Sequence, residues 1–141
     1  MQEQISTIVL KRNKINLIVY DIKQEKNSKM GQVEQYRAIA ANIIQQVYDR
    51  YDDADKIYQI ISDEQNGHYF LYQNAWLEDS YRLYGTVIHI EVKKDGKVWL
   101  HYDGTELIIA DWLLEHGVPN TDLVLGFHPP IVRKDTVFAL E

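Results

Sequence analysis

Apolar residues between Val33 and Tyr51 recur at helical spacing. Val33, Tyr36, Ala40, Ile43, Ile44, Val47 and Tyr51 share one face, leaving Glu34, Gln45 and Asp49 to meet water. The pattern predicts one amphipathic helix, ended by Asp52-Asp53-Ala54-Asp55. The apolar period then drops from about 3.6 to 2. Segments 57–62, 68–76, 82–93 and 97–102 read as strands, separated by the turn signals Asn66-Gly67, Glu78-Asp79-Ser80 and Asp95-Gly96. Strands joined by turns this short pair as an antiparallel meander. A second helix is expected over 105–116, with Ile109, Trp112, Leu113 and His116 on one face. Gly117 suits its C′ position and Pro119 stops any continuation. The fold class predicted is therefore α+β: an N-terminal helix, a four-stranded antiparallel meander, a second helix packed on the sheet, and an extended C-terminal segment.

The Asp95-Gly96 turn bears on which side chains can meet. A two-residue loop pairs Lys94 with Lys97, so Ile88, Ile90 and Val92 share the core face with Trp99 and His101. Val87, His89, Glu91 and Lys93 then share the other face with Val98, Leu100 and Tyr102. On this register His89 and His101 lie on opposite sides of the sheet and cannot share a metal ion.

Ahead of Met30 the composition changes. Two apolar runs, 5–10 and 15–22, flank Lys11-Arg12-Asn13-Lys14 and read as a β-hairpin followed by a polar linker over 23–29. The rival reading makes Met30 the natural start and 1–29 an over-extended one. The chain divides accordingly into an N-terminal extension, 1–29, and a main domain, 30–141. Residues 1–29 carry six Lys/Arg against three Asp/Glu, or +3, which leaves 9 basic and 18 acidic residues, or −9, in the rest. A body of that charge is repelled by duplex DNA, so direct DNA contact by 30–141 is disfavoured and a basic protein partner suits it better.

The 141 residues suffice for one buried core without staples. The absence of cysteine removes disulfides, thiolate metal sites and cysteine nucleophiles, and it suits a reducing cytoplasm. No apolar run is long enough to span a bilayer, and Met1-Gln2-Glu3-Gln4 lacks the basic start of a secretion signal.

Chemistry-bearing residues are present without a catalytic constellation. The five histidines, His68, His89, His101, His116 and His128, include no pair spaced by four on a helix. Asp52, Asp53 and Asp55 lack the later ligands of a calcium loop, since Ile57-Tyr58 follow. Asp103-Gly104-Thr105-Glu106 has two readings. Asp103 and Glu106 form a carboxylate pair for hydrolysis or metal chemistry, or the four residues end a strand and cap a helix. Capping accounts for all four residue types without a substrate. No catalytic residue, metal or cofactor is assigned. The ten tyrosines, three tryptophans and three phenylalanines suit core packing and a protein–protein surface.

Ordered groups of residues carry a resemblance. Tyr84-Gly85, His89, Gly96-Lys97-x-Trp99, Asp103-Gly104-Thr105-Glu106, Gly117-Val118-Pro119 and Phe127-His128-Pro129-Pro130, with His68-Tyr69 and Trp76 upstream, resemble the XisI-like family of fdxN element excision controlling factors. The resemblance starts after Met30. It implies a small cytoplasmic α+β protein that accompanies an XisH-like, nuclease-related partner, with a site-specific recombinase involved indirectly. The function expected from it is a non-enzymatic accessory role in excising a DNA element, and a homo-oligomer is compatible with it. Alternatives are an enzyme using Asp103 and Glu106, or DNA binding through the basic arm at 1–29. The exit Phe127, His128, Pro129, Pro130 and Arg133 is the expected partner contact. His89, Trp99, Asp103, Gly104, Thr105 and Glu106 are expected to be structural.

Overall fold

The structure, a computed structural model, describes residues 31–51 and 56–141. The readings made for 1–29 and for the aspartates of 52–55 lie outside the described residues. Residues 31–50 form helix α1, and its expected face is the buried one. Tyr36, Ala40, Ile43, Ile44 and Val47 are at most 3% exposed. Four strands follow, β1 (Tyr58–Asp63), β2 (His68–Leu77), β3 (Tyr81–Val92) and β4 (Val98–Asp103), each antiparallel to the next. Gly67, with φ 76, lets the β1–β2 loop close onto β3: a Cβ there would stand 2.3 Å from the Val92 carbonyl oxygen.

The sheet differs from expectation in having a fifth strand. After β4 the chain crosses over through helix α2 (Ile109–Glu115) and returns as β5 (Leu123–Leu125), parallel to β4. Parallel neighbours need such a crossover, and a three-residue strand is too short to signal itself by alternation. Among the described residues the sheet is therefore mixed, in the order β1-β2-β3-β4-β5. A single turn, α3 (Pro130–Arg133), follows, and Ala139 bridges to Val124.

Helix α2 also starts later than its capping residues suggest. Asp103 acts across the intervening turn. Its Oδ1 accepts from the Thr105 amide at 2.9 Å and the Thr105 hydroxyl at 2.6 Å, while Oδ2 accepts from the Ile109 amide at 2.8 Å. Ile108 sits between them in the left-handed region, φ 57. The far end is as expected. Gly117, at φ 112, closes a Schellman motif in which Val118 donates to Leu113 at 3.0 Å and Gly117 to Leu114 at 3.1 Å.

Both helices pack on one face of the sheet, in a core that also holds Tyr69, Leu71, Ile88, Ile90, Val92, Val98, Leu100, Leu123 and Leu125. That set exposes an error of register. The pairs are Val92↔Val98, Glu91↔Trp99 and Ile90↔Leu100. Lys93 donates to Lys97 at 2.9 Å across a three-residue loop, Lys94-Asp95-Gly96, with Gly96 at φ 91. A slip of one residue exchanges the two faces of a strand. Val98 and Leu100 thus enter the core, whereas Trp99 and His101 face away from it. A further irregularity leaves His101 as the extra residue between the pairs His89↔Tyr102 and Ile90↔Leu100.

Candidate functional site

The sheet face turned away from the helices gathers most of the chemistry. From the register it carries Ile61, His68, Phe70, Tyr72 and Trp76 on β1 and β2, and Arg82, Tyr84, His89, Glu91, Trp99 and His101 on β3 and β4. Contrary to the expectation from a two-residue turn, His89 and His101 lie on the same side, with ring centroids 4.6 Å apart.

Five rings form a continuous row across three strands. His89 stacks on Phe70 at 4.0 Å and lies 5.3 Å from His68; His101 stacks on Trp99 at 5.6 Å. His68 Nδ1 and His89 Nε2 are 3.0 Å apart, so one ring donates the single proton between them and the other accepts. Two imidazolium rings would oppose two N–H groups there. Glu91 stands between the outer histidines, 2.8 Å from His101 Nε2 and 3.8 Å from His68 Nε2. Burial, then the positive charges that His101 and His68 would bring, hold His89 down to about 4 from an ordinary 6.5, with Glu91 opposing. His89 is thus a neutral ring at physiological pH. Among the described residues, no three of His, Cys, Asp or Glu are placed to hold a metal ion.

The exit segment borders this row. Lys93 Nζ lies 4.0 Å from the centre of a Trp99 ring, and the Arg133 guanidinium lies 5.0 Å from it. Arg133 is held there by donating through Nε to the His128 carbonyl at 2.9 Å. Gly126 permits the approach: a Cβ on it would stand 2.9 Å from His101 Nδ1 and 3.2 Å from Trp99 Cε3. The structure therefore brings His89 and Trp99 together with Arg133, while Phe127, Pro129 and Pro130 stay exposed beside them. Asp103, Gly104, Thr105 and Glu106 belong elsewhere. Both oxygens of Asp103 are engaged by backbone and hydroxyl donors, and the cavity beside Gly104 holds only about 140 Å³. That is below the usual size of a small-molecule site.

A second feature was not expected from sequence. Strands β2 and β3 stay paired to Leu77↔Tyr81, whereas β1 reaches only Tyr58↔Gln73 and β4 only Ile88↔Asp103. The hairpin from 74 to 84 thus projects as a two-stranded arm. Trp76, Tyr81 and Tyr84 on it are 62–64% exposed. Arg82 lies 5.4 Å from Trp76 and 4.8 Å from Tyr84 and donates to Asn74 at 2.7 Å. Beside the arm, where β1 ends, is a notch of about 490 Å³ lined by Ile57, Ala75, Trp76, Leu77 and Glu78. The alternation of aromatic and polar residues at 72, 74 and 76 was the signal for this surface.

No helix among the described residues is long and apolar enough to cross a membrane. Compared with protein families, residues 30–140 match the family described as XisI protein. Curated proteins gave no match. Two solved structures from Anabaena variabilis are similar over nearly their full length. One is the fdxN element excision controlling factor XisI, 31% identical, with 78% of this chain and 99% of that one covered and a TM-score of 0.68. The other is a XisI-like protein, also 31% identical, with 77% and 99% covered and a TM-score of 0.70.

Proposed function

Because the chain belongs to the XisI family, we propose that it is an accessory factor controlling excision of a DNA element, without itself performing the chemistry. It acts in the cytoplasm by docking on an XisH-like, nuclease-related protein, and influences the recombinase only through that partner. The observation that carries the protein-contact reading is the projecting arm. Trp, Tyr and Arg are the residue types that dominate binding energy at protein interfaces, and here Trp76, Arg82 and Tyr84 stand together on one face of an exposed hairpin that also exposes Tyr81. A two-stranded arm gains little stability by itself in water, so exposed aromatics there favour a binding role over a packing one. The exit at Phe127–Arg133 supplies a second exposed apolar edge. The acidic body disfavours DNA as the direct target. Co-expression of the full chain with the XisH-like protein should give a complex on copurification, weakened by the pair Trp76→Ala and Tyr84→Ala. Failure of the unaltered proteins to associate at micromolar concentration would remove this reading.

A further inference from the structure

We propose that β1 is a self-association edge, at which two copies of this chain pair their β1 strands antiparallel about a two-fold axis passing beside Ile61. This is independent of the partner proposed above. The edge has the marks of a strand left open for pairing. Asn74 donates to the Ile57 carbonyl at 2.9 Å, so residues 57, 59, 61 and 63 direct their backbone groups toward β2. Ile60 and Ser62 therefore direct theirs outward, where no strand lies among the described residues. From Gln59 to Asp63 the strand is exposed throughout, with Ile60 at 42% and Ile61 at 44%. Natural sheets guard such edges with charge, proline, bulges or cover. Residues 59–62 carry no charge, proline or bulge, and nothing among the described residues covers them. The opposite edge is guarded: β5 has only three residues, all buried, and Ala139 bridges to its Val124.

The geometry of the edge selects a second copy as the occupant. Two antiparallel strands related by an axis normal to the sheet must place one residue opposite its own mate. With Ile61 at that position, Ile60 faces Ser62 of the second copy and Ser62 faces Ile60, so the outward groups of both strands are used. The Ile61 pair falls at a non-hydrogen-bonded position, where side chains approach most closely. Asp63 meets Gln59 of the second copy. No like charges are opposed, which matters for copies that each carry −6. The axis also keeps the helices of both copies on the same side of the joined sheet.

The chain has no cysteine, which makes the test direct. The full chain carrying Ile61→Cys should oxidise readily to a disulfide-linked species of twice 16.6 kDa, while Tyr81→Cys, more open to solvent, should not. In light scattering the unaltered chain should be a dimer, and Ile61→Lys should weaken it by roughly tenfold or more, because it replaces an apolar pair with opposed charges. Ile61 is exposed, so both variants should fold, as circular dichroism will show. Three results would overturn the proposal: a monomeric unaltered chain at about 100 μM, a concentration that would populate even a weak dimer; equal cross-linking at both cysteine positions; or exchange protection of the Ile60 and Ser62 amides that does not vary with concentration and disappears on deleting residues 1–29. The last would assign the edge to the chain's own N-terminal segment.

Discussion

Acidification should weaken the fold through His89, and by an amount that can be worked out. The unfolded chain binds a proton on this residue below 6.5, whereas the folded chain binds it only near 4. Between those values the unfolded state holds more protons, so stability falls as the pH falls through that window and is fully present above it. Undiluted by solvent, the gap corresponds to roughly 3 kcal/mol; the ring is open enough to water that about 1–2 kcal/mol is expected. His89→Phe removes the titration while preserving a ring against Phe70. Urea unfolding of both proteins should be followed by circular dichroism from pH 7.5 to 4.5. The variant starts lower by about 1 kcal/mol for the lost bond to His68, yet its stability should decline with pH more gently. Asp63 does not confuse the comparison. Its side-chain and backbone hydrogen bonds with Asn66 lower it from 3.8, so it acts beneath this window. Parallel pH profiles for the two proteins would refute the placement of His89 in a half-buried, proton-excluding row.

Two further outcomes test the turns. Asp103→Ala should lower stability by about 2 kcal/mol in thermal denaturation, because it removes three hydrogen bonds including one to the first amide of α2; an unchanged melting temperature would mean that Asp103 is not holding that turn. Glu78 and Asp79 both adopt left-handed conformations, φ 52 and 58, so Asp79→Gly should raise stability by about 0.5–1 kcal/mol, and a loss would contradict the turn geometry of the arm.

What was legible in the sequence depended on local periodicity. The face of α1 and the approximate bounds of β1 to β4 follow from the spacing of apolar residues, which neighbours along the chain determine. Register does not follow in that way. Asp95-Gly96 is a strong two-residue signal, but Lys94 joins the loop, and that single residue sent Trp99 and His101 to the wrong face. β5 is not legible in the sequence because three residues in a parallel strand draw their stability from burial rather than from a pattern. Asp103 and Thr105 are capping residues and point to an earlier start for α2, but here they act across a turn. The histidine row was nonetheless within reach. His68-x-Phe70, His89-x-Glu91 and Trp99-x-His101 each recur with period 2, and in each strand these residues alternate with the apolar positions that face the core.

The loop Lys94-Asp95-Gly96 has a consequence for how this chain can vary. Surface loops ordinarily absorb insertions and deletions with little cost. Here the loop length decides which residues of β4 are dissolved in the core and which line the aromatic row. Losing one residue would drive Trp99 and His101 inward and push Val98 and Leu100 into water, turning the strand inside out. The loop is thus tolerant at Lys94 but fixed in count, so a frame-preserving deletion of one codon there should be more damaging than any substitution of Lys94.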